Sequence, residues 1–316
     1  MTWRYLGEFY FEAGTSGHVT LINQSDEHDP SQAVVADAVR FGGGLGSIEE
    51  SGGTTSNRPR WEEAAKYWVM YQGAPEEVYT DDDGDTNDVI ARPRYAEWEA
   101  AQGAPGEGEN SVYISWHTNG YNGTLTGTES YIHSTEPTTG SVELQDWIHP
   151  ELILDLRNAW DPGWVNRGQK TADFGELREL STIPGVLLEV AFHDTEDPGD
   201  ADDLREPLFR QIAARAVYQG IVKYHAAREG TASHLLPEPP ERLVARNSAP
   251  GEVTIAWTAP PCCDGVVGDA ATAYRVYHSS NGRAFEDGTE TLQTTLTLTD
   301  LDPGSLHFFR VTSLNQ

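Results

Sequence analysis

Cysteine is nearly absent from the 316-residue chain. There are two, adjacent in "PPCCDG" (Cys262 and Cys263). A disulfide framework needs more, and neighbouring cysteines rarely bridge each other, so cysteine neither staples this fold nor fixes a redox compartment. Basic residues are scarce as well: 21 Lys and Arg stand against 50 Asp and Glu, a formal net charge of −29. That balance argues against nucleic-acid phosphates or anionic lipid headgroups as partners. Its plainest meaning is a well-solvated surface. No apolar run approaches about 20 residues, so no transmembrane segment is expected. The opening "MTWRYLGEFYF" has no basic leader and no cleavage pattern. It reads as the middle of a strand, and the expectation is a chain cut from a longer protein.

What is present divides by periodicity. Residues 1–41 read as β: "WRYLGEFYF" alternates, and "GHVTLIN" and "AVVADAVRF" are β-branched and apolar. Three strands cannot bury a sheet face alone, so this segment is expected to be part of a sandwich. A Gly/Ser/Thr-rich connector (42–59) follows. "RWEEAAKYWVMYQG" then turns helical, with Trp61, Ala65, Trp68 and Val69 near one face and Gly73 as a stop. "EEVYT" suits a short strand, and "DDDGDTND" (81–88) a solvated acidic loop without the calcium-loop order of an EF-hand. Helices are expected at "RPRYAEWEAAQG", "SVELQDWIHPELILDLRNAW" and "DADDLREPLFRQIAARAVYQGIVKYHAARE", and strands at "SVYISWH", "GTESYIH" and "IPGVLLEVAFHD". This alternation predicts an α/β domain (42–230) with a mainly parallel sheet. After a Pro-rich linker (231–240), short strands split by Gly and Pro predict an immunoglobulin-like β-sandwich over 241–316.

Two apolar strands of the α/β domain deliver a polar residue. "SVYISWHTNG" ends on His117, at the kind of strand end where α/β sheets place their sites. "PGVLLEVAF" carries Glu189 between Leu188 and Val190. A carboxylate in so apolar a run is costly unless paired, metal-bound or protonated, or unless its register turns it to solvent. The apolar neighbours on both sides favour a functional acid, whose raised pKa would suit a general base. Zinc hydrolases need about three His/Glu ligands, an open position for water and a nearby carboxylate. His117 and Glu189 match two of these roles. Glu62 and Glu63, at the start of the first helix, are further candidates, although acids there also simply suit the helix dipole.

These residues resemble a known family. "VYISWHTNGYNGTLTGTESYIH" is similar to the "ISIHANA…GxExYY" stretch of zinc-dependent N-acetylmuramoyl-L-alanine amidases, and "NRGQKTADFGELRELSTIPGVLLEVAFHDTEDPGDADDL" to their "NRGVK…VLR…PAVLVEIGFLSNPxDA" stretch. The helix of "RPRWEEAAKYWVMYQG" resembles the one carrying their glutamate ligand. The resemblance spans about residues 56–227. It implies His117 as a zinc ligand, Glu63 (or Glu62) as a second, Glu189 as the catalytic glutamate that activates the zinc-bound water, and Asn119 and Arg167 as substrate-side polar residues. His133 and His193 match no ligand position. The family's first ligand, a histidine in "DPGHGG", has no counterpart; His18 and His28 stand in other contexts, and the third ligand is expected upstream of Met1. The implied cofactor is Zn2+, the implied partner peptidoglycan or another cell-surface glycan, and the implied location the cell envelope or exterior.

The flanks carry their own resemblances. Residues 1–41 resemble the second half of the sandwich domain found in golvesin and xanthan lyases. Residues 241–316 resemble a C-terminally truncated fibronectin type III domain, with Trp257 and Tyr274 in its core and His307 where the corner tyrosine stands. The resemblances together imply a peptidoglycan amidase. The alternatives are a catalytically incomplete cell-wall or polysaccharide-binding surface protein, and a zinc amidohydrolase acting on another extracellular substrate.

Overall fold

The computed structural model describes residues 9–20, 49–50, 54–55, 60–82, 84, 87–103, 110–196, 199–263, 266–285 and 287–315. Most of the expected N-terminal sandwich therefore lies outside the described residues. Its described part, 9–20, forms no strand and exposes Phe9, Tyr10, Phe11 and Val19. A two-stranded antiparallel ribbon, β1 (Glu49–Glu50) and β2 (Thr54–Thr55), falls within the expected connector.

The expected first helix is two. α1 (Arg60–Glu63) and α2 (Ala65–Tyr71) are separated by Ala64, whose backbone is extended at φ −155° and ψ 150°. The apolar stripe survives the break, since Trp61 packs on Trp68 and Tyr71 with ring centroids 5.7 and 5.8 Å apart. "EEVY" is helical rather than extended, as α3 (Glu76–Tyr79). α4 (Asp88–Gln102) begins inside the acidic loop, because the Asn87 side chain accepts from the backbone N–H groups of Val89 and Ile90 at 3.1 and 3.4 Å. Such a cap outweighs the solvation preference of the acids around it.

The central sheet runs β3–β6–β4–β5, from β3 (Tyr113–Asn119), β4 (Thr128–His133), β5 (Asn166–Ala172) and β6 (Gly185–Phe192). β3 with β6 and β4 with β5 are parallel, while β4 with β6 is antiparallel, so the sheet is mainly parallel as expected. β5, "NRGQKTA", was not expected as a strand. It has no buried residue and no apolar alternation to mark it.

α5 (Ser141–Ala159) and α8 (Pro207–Glu229) cover one sheet face. There Leu144, Ile148, Leu152, Leu156, Val186, Leu188, Val190, Phe209 and Ala216 make the main core. The two helices meet at Gly220, where a Cβ would stand 2.8 Å from Ile148 Cα. The opposite face carries α4 and α6 (Gly175–Arg178) over Tyr113, Leu177, Leu180, Ile183 and Leu187. α7 (Asp200–Arg205) precedes α8. Alternation along β6 explains both layers: Val186, Leu188 and Val190 face α5 and α8, while Leu187 and Glu189 face α4 and α6.

The C-terminal strands form two three-stranded antiparallel sheets. One contains β7 (Glu241–Ala249), β8 (Glu252–Thr258) and β11 (Thr295–Leu298). The other contains β9 (Ala273–Ser279), β10 (Thr289–Thr291) and β12 (Phe308–Leu314). Between them lie Val253, Ile255, Trp257, Tyr274 and Val276. His307 retains a link of the kind the absent corner tyrosine would make: its Nε2–H donates to the Asp302 carbonyl at 2.8 Å, and its Nδ1 meets His278 Nε2 at 2.9 Å. Contrary to the expectation for neighbours in sequence, Cys262 and Cys263 are disulfide-bonded to each other.

Candidate active site

His117 and Glu189 are Cα partners across the parallel β3–β6 pair, and Glu129 is the antiparallel partner of Glu189 on β4. Residues directly opposite one another across a sheet share a face. The three side chains therefore form one row on the α4/α6 side, near the C-terminal ends of β3 and β6.

Each member has a different setting. Glu189 is the desolvated acid. Its Oε2 is buried with no hydrogen-bond partner, and burial, reinforced by the negative charge of Glu129, pushes its pKa up to about 7. His117 is the paired base. Its Nε2 lies 3.1 Å from Glu176 Oε1 and 3.0 Å from Ser115 Oγ. The carboxylate raises the imidazole pKa against the opposing effect of burial, and His117 in turn holds Glu176 below the usual carboxylate range. A carboxylate oxygen at that distance calls for the proton on Nε2, which leaves Nδ1 as the lone-pair nitrogen of the neutral ring. Glu176 also accepts from Arg92 Nη1 at 3.2 Å, and Arg92 Nη2 donates to Asp88 at 2.6 Å.

Glu129 is almost fully buried, at 2% exposure, and fully satisfied. Asn119 Nδ2 and the Tyr131 hydroxyl donate to its Oε1, both at 2.7 Å; Arg167 Nε donates to Oε2 at 2.9 Å, and Lys170 pairs with the same oxygen. Burial acts to raise its pKa, but the bonds from Lys170, Tyr131 and Arg167 win and lower it.

Of the residues singled out in the sequence, His117, Glu189, Asn119 and Arg167 come together here. Glu63 closes α1 and Glu62 is exposed on it. Among the described residues no group of three or more His, Cys, Asp or Glu side chains is arranged to hold a metal ion. The donor set thus fits a zinc site only in part: His117 Nδ1 is an available donor, and the Glu189 carboxyl beside it is an acid of the kind zinc hydrolases keep next to the metal. His133 pairs with Asp173 at 3.1 Å, His193 Nδ1 meets Thr118 Oγ1 at 3.1 Å, and His18 is exposed; His28 lies outside the described residues. Sequence reading missed Glu129, Glu176, Arg92, Lys170 and Tyr131. Only the glutamate in "GTESYIH", two residues before a tyrosine on the same strand face, gave a usable signal.

The site thus sets a buried carboxyl of raised pKa in register with a carboxylate-held histidine, on one face of the α/β sheet. A family model for N-acetylmuramoyl-L-alanine amidase matches residues 69–223, and one for the fibronectin type III domain matches residues 238–316. The two matched regions follow one another along the chain in that order. It is 33% identical over 123 residues to an uncharacterised cell wall amidase of Bacillus anthracis, covering 37% of this chain and 22% of that protein. It is 31% identical over 115 residues to the N-acetylmuramoyl-L-alanine amidase LytC of Bacillus subtilis (strain 168), covering 36% and 21%. The matched region is thus about a fifth of the length of these relatives. Among solved structures, the N-acetylmuramoyl-L-alanine amidase from Clostridium difficile 630 aligns at 20% identity and a TM-score of 0.37, covering 55% of this chain and 87% of that one. Among the described residues no helix is long and apolar enough to cross a membrane.

Proposed function

We propose that the central domain hydrolyses the amide joining the lactyl group of N-acetylmuramic acid to L-alanine in peptidoglycan, at the cell envelope or outside it. The observation that carries this reading is Glu189: a buried carboxyl without a hydrogen-bond partner on Oε2, held near pKa 7, in register with His117 within an amidase-type domain. A group poised there accepts a proton from water and returns it at neutral pH. Glu189 takes one proton of the attacking water while the water oxygen adds to the amide carbonyl carbon. The same proton then passes to the amide nitrogen as the C–N bond breaks, giving a free carboxyl on the sugar and a free amine on alanine. Asn119 and Arg167 border the site and face the substrate. Bound zinc would supply a Lewis acid for the water. His117 and Glu63 are its proposed ligands, with a further donor from outside the described residues.

The test is release of soluble fragments from purified cell walls by a longer protein containing this chain, with zinc content measured in parallel. Glu189→Gln should lower release by at least about a hundredfold with the fold intact. Equal activity in the variant would end the proposal. A second reading, a wall-binding protein without catalysis, is favoured by the lack of a three-donor group among the described residues. It prevails if neither this chain nor the longer protein binds zinc while both retain binding to walls.

A further inference from the structure

Glu129 holds more positive charge than it needs. One counter-ion would compensate a buried carboxylate, yet Arg167 and Lys170 both pair with its Oε2, and Asn119 and Tyr131 already satisfy Oε1. The trio carries a net +1, in a chain whose acids outnumber its bases by 50 to 21. Neither cation is buried. The side chains of Arg167 and Lys170 are 24% and 35% exposed, against 3% for Glu129. Arg167 spends only Nε on Glu129, so among the described residues its two Nη groups are uncommitted. It is also held in place by stacking on Phe192, with the guanidinium carbon 5.1 Å from the ring centroid. Lys170 lies 5.7 Å from the centroid of Tyr131 and makes one side-chain bond, leaving ammonium protons to spare.

A fixed guanidinium fork with free Nη groups, next to a second cation, suits a planar two-oxygen anion. We infer that Arg167 and Lys170 form a carboxylate-binding subsite that selects peptides carrying a free carboxylate beyond the bond attacked at Glu189. Glu129 is its positioning residue. Position sets which carboxylate qualifies. β5 is two strands from β6, so the cations lie about 10 Å or less from Glu189. At about 3.5 Å per extended residue, that distance reaches the residue one or two beyond alanine. The inference rests on the amidase reading and names its substrate class.

The test uses the whole chain bearing Glu189→Gln, so that ligand is bound without turnover. Calorimetry compares N-acetylmuramoyl-L-alanyl-glutamate with the same compound amidated at both glutamate carboxyls. The free acid should bind about tenfold tighter, a difference of about 1.4 kcal/mol. Adding Lys170→Met, or Arg167→Lys, which keeps the charge but loses the fork, should shrink the preference to threefold or less. Equal affinities, no measurable binding of either compound, or a preference that survives both substitutions would overturn the subsite. Should either substitution unfold the chain, the two-ligand comparison on the otherwise unaltered protein still decides. Carboxylate preference without any wall hydrolysis by the longer protein would sink the amidase reading and leave the subsite standing.

Discussion

Glu189 lets a single residue be followed by two independent measurements. An ordinary glutamate ionises near 4.5, while this one is held to about 7 in the folded chain. Between those values the folded state keeps a proton that the unfolded state has lost. Stability therefore falls as pH rises from 4.5 to 7 and then levels off. In metal-free chain, Glu189→Gln should remove this slope, and its unfolding free energy at pH 8 should exceed that of the unaltered chain by an amount of order 1–2 kcal/mol, after allowance for the carboxyl's partial contact with solvent. Denaturant titration at pH 5 and pH 8 checks it; parallel curves for the two proteins at both values would refute the buried-acid account. On the proposed reading, activity should run the other way and rise with pH as the Glu189 carboxyl ionises, read as initial rates of wall solubilisation.

At the scale of elements, one side chain gathers three backbone N–H groups of the loop entering β6. Glu97 on α4 accepts from the backbone N–H groups of Ser181 (2.7 Å), Thr182 (2.8 Å) and Ile183 (3.2 Å), and from the Thr182 hydroxyl. Burial acts to raise its pKa and these donors outweigh it, so the net shift is downward. The stabilisation is present above about pH 4.5 and is lost as pH falls through the lowered folded value. Glu97→Ala should cost about 1–3 kcal/mol at neutral pH, and less near pH 3, by thermal unfolding. Gly220→Ala tests the packing behind the sheet: the added methyl meets the backbone of α5, and a loss of about 1–3 kcal/mol is expected despite the higher helix propensity of alanine. What the sequence made legible follows from the same physics. β6 announces itself because Glu189 is the one polar residue in an otherwise apolar run, while β3 is marked by Tyr113, Ile114 and Trp116 leading up to His117 at a polar strand end. Glu176 and Arg92 were illegible because their bond spans 84 residues and joins a four-residue helix to the face of a longer one. Local pattern carries no trace of such a contact. β5 was missed because strand pairing, not apolar alternation, makes it a strand.

Across the whole molecule, the two matched domains are joined by a segment that is itself held. Arg215 on α8 pairs with Glu238 and donates from Nη2 to the Leu236 carbonyl at 2.6 Å, while the Tyr218 hydroxyl accepts from Leu236 N–H at 3.1 Å. From the sandwich side, Asn315 Nδ2 donates to the Leu235 carbonyl at 2.9 Å, Asp269 accepts from Leu235 N–H at 3.0 Å, and the Val266 carbonyl accepts from Gln219 at 2.8 Å. Composition alone would make residues 231–240 a loose tether. A protease must draw several residues of extended chain into its cleft, and backbone bonded on two sides resists that. Brief digestion of the native chain should spare 231–240, whereas Arg215→Ala should open a cut there, visible by mass spectrometry as two fragments meeting near Leu236. Movement of the sandwich would then carry α8 with it, so a pull on the sandwich is felt at that helix before any slack is taken up.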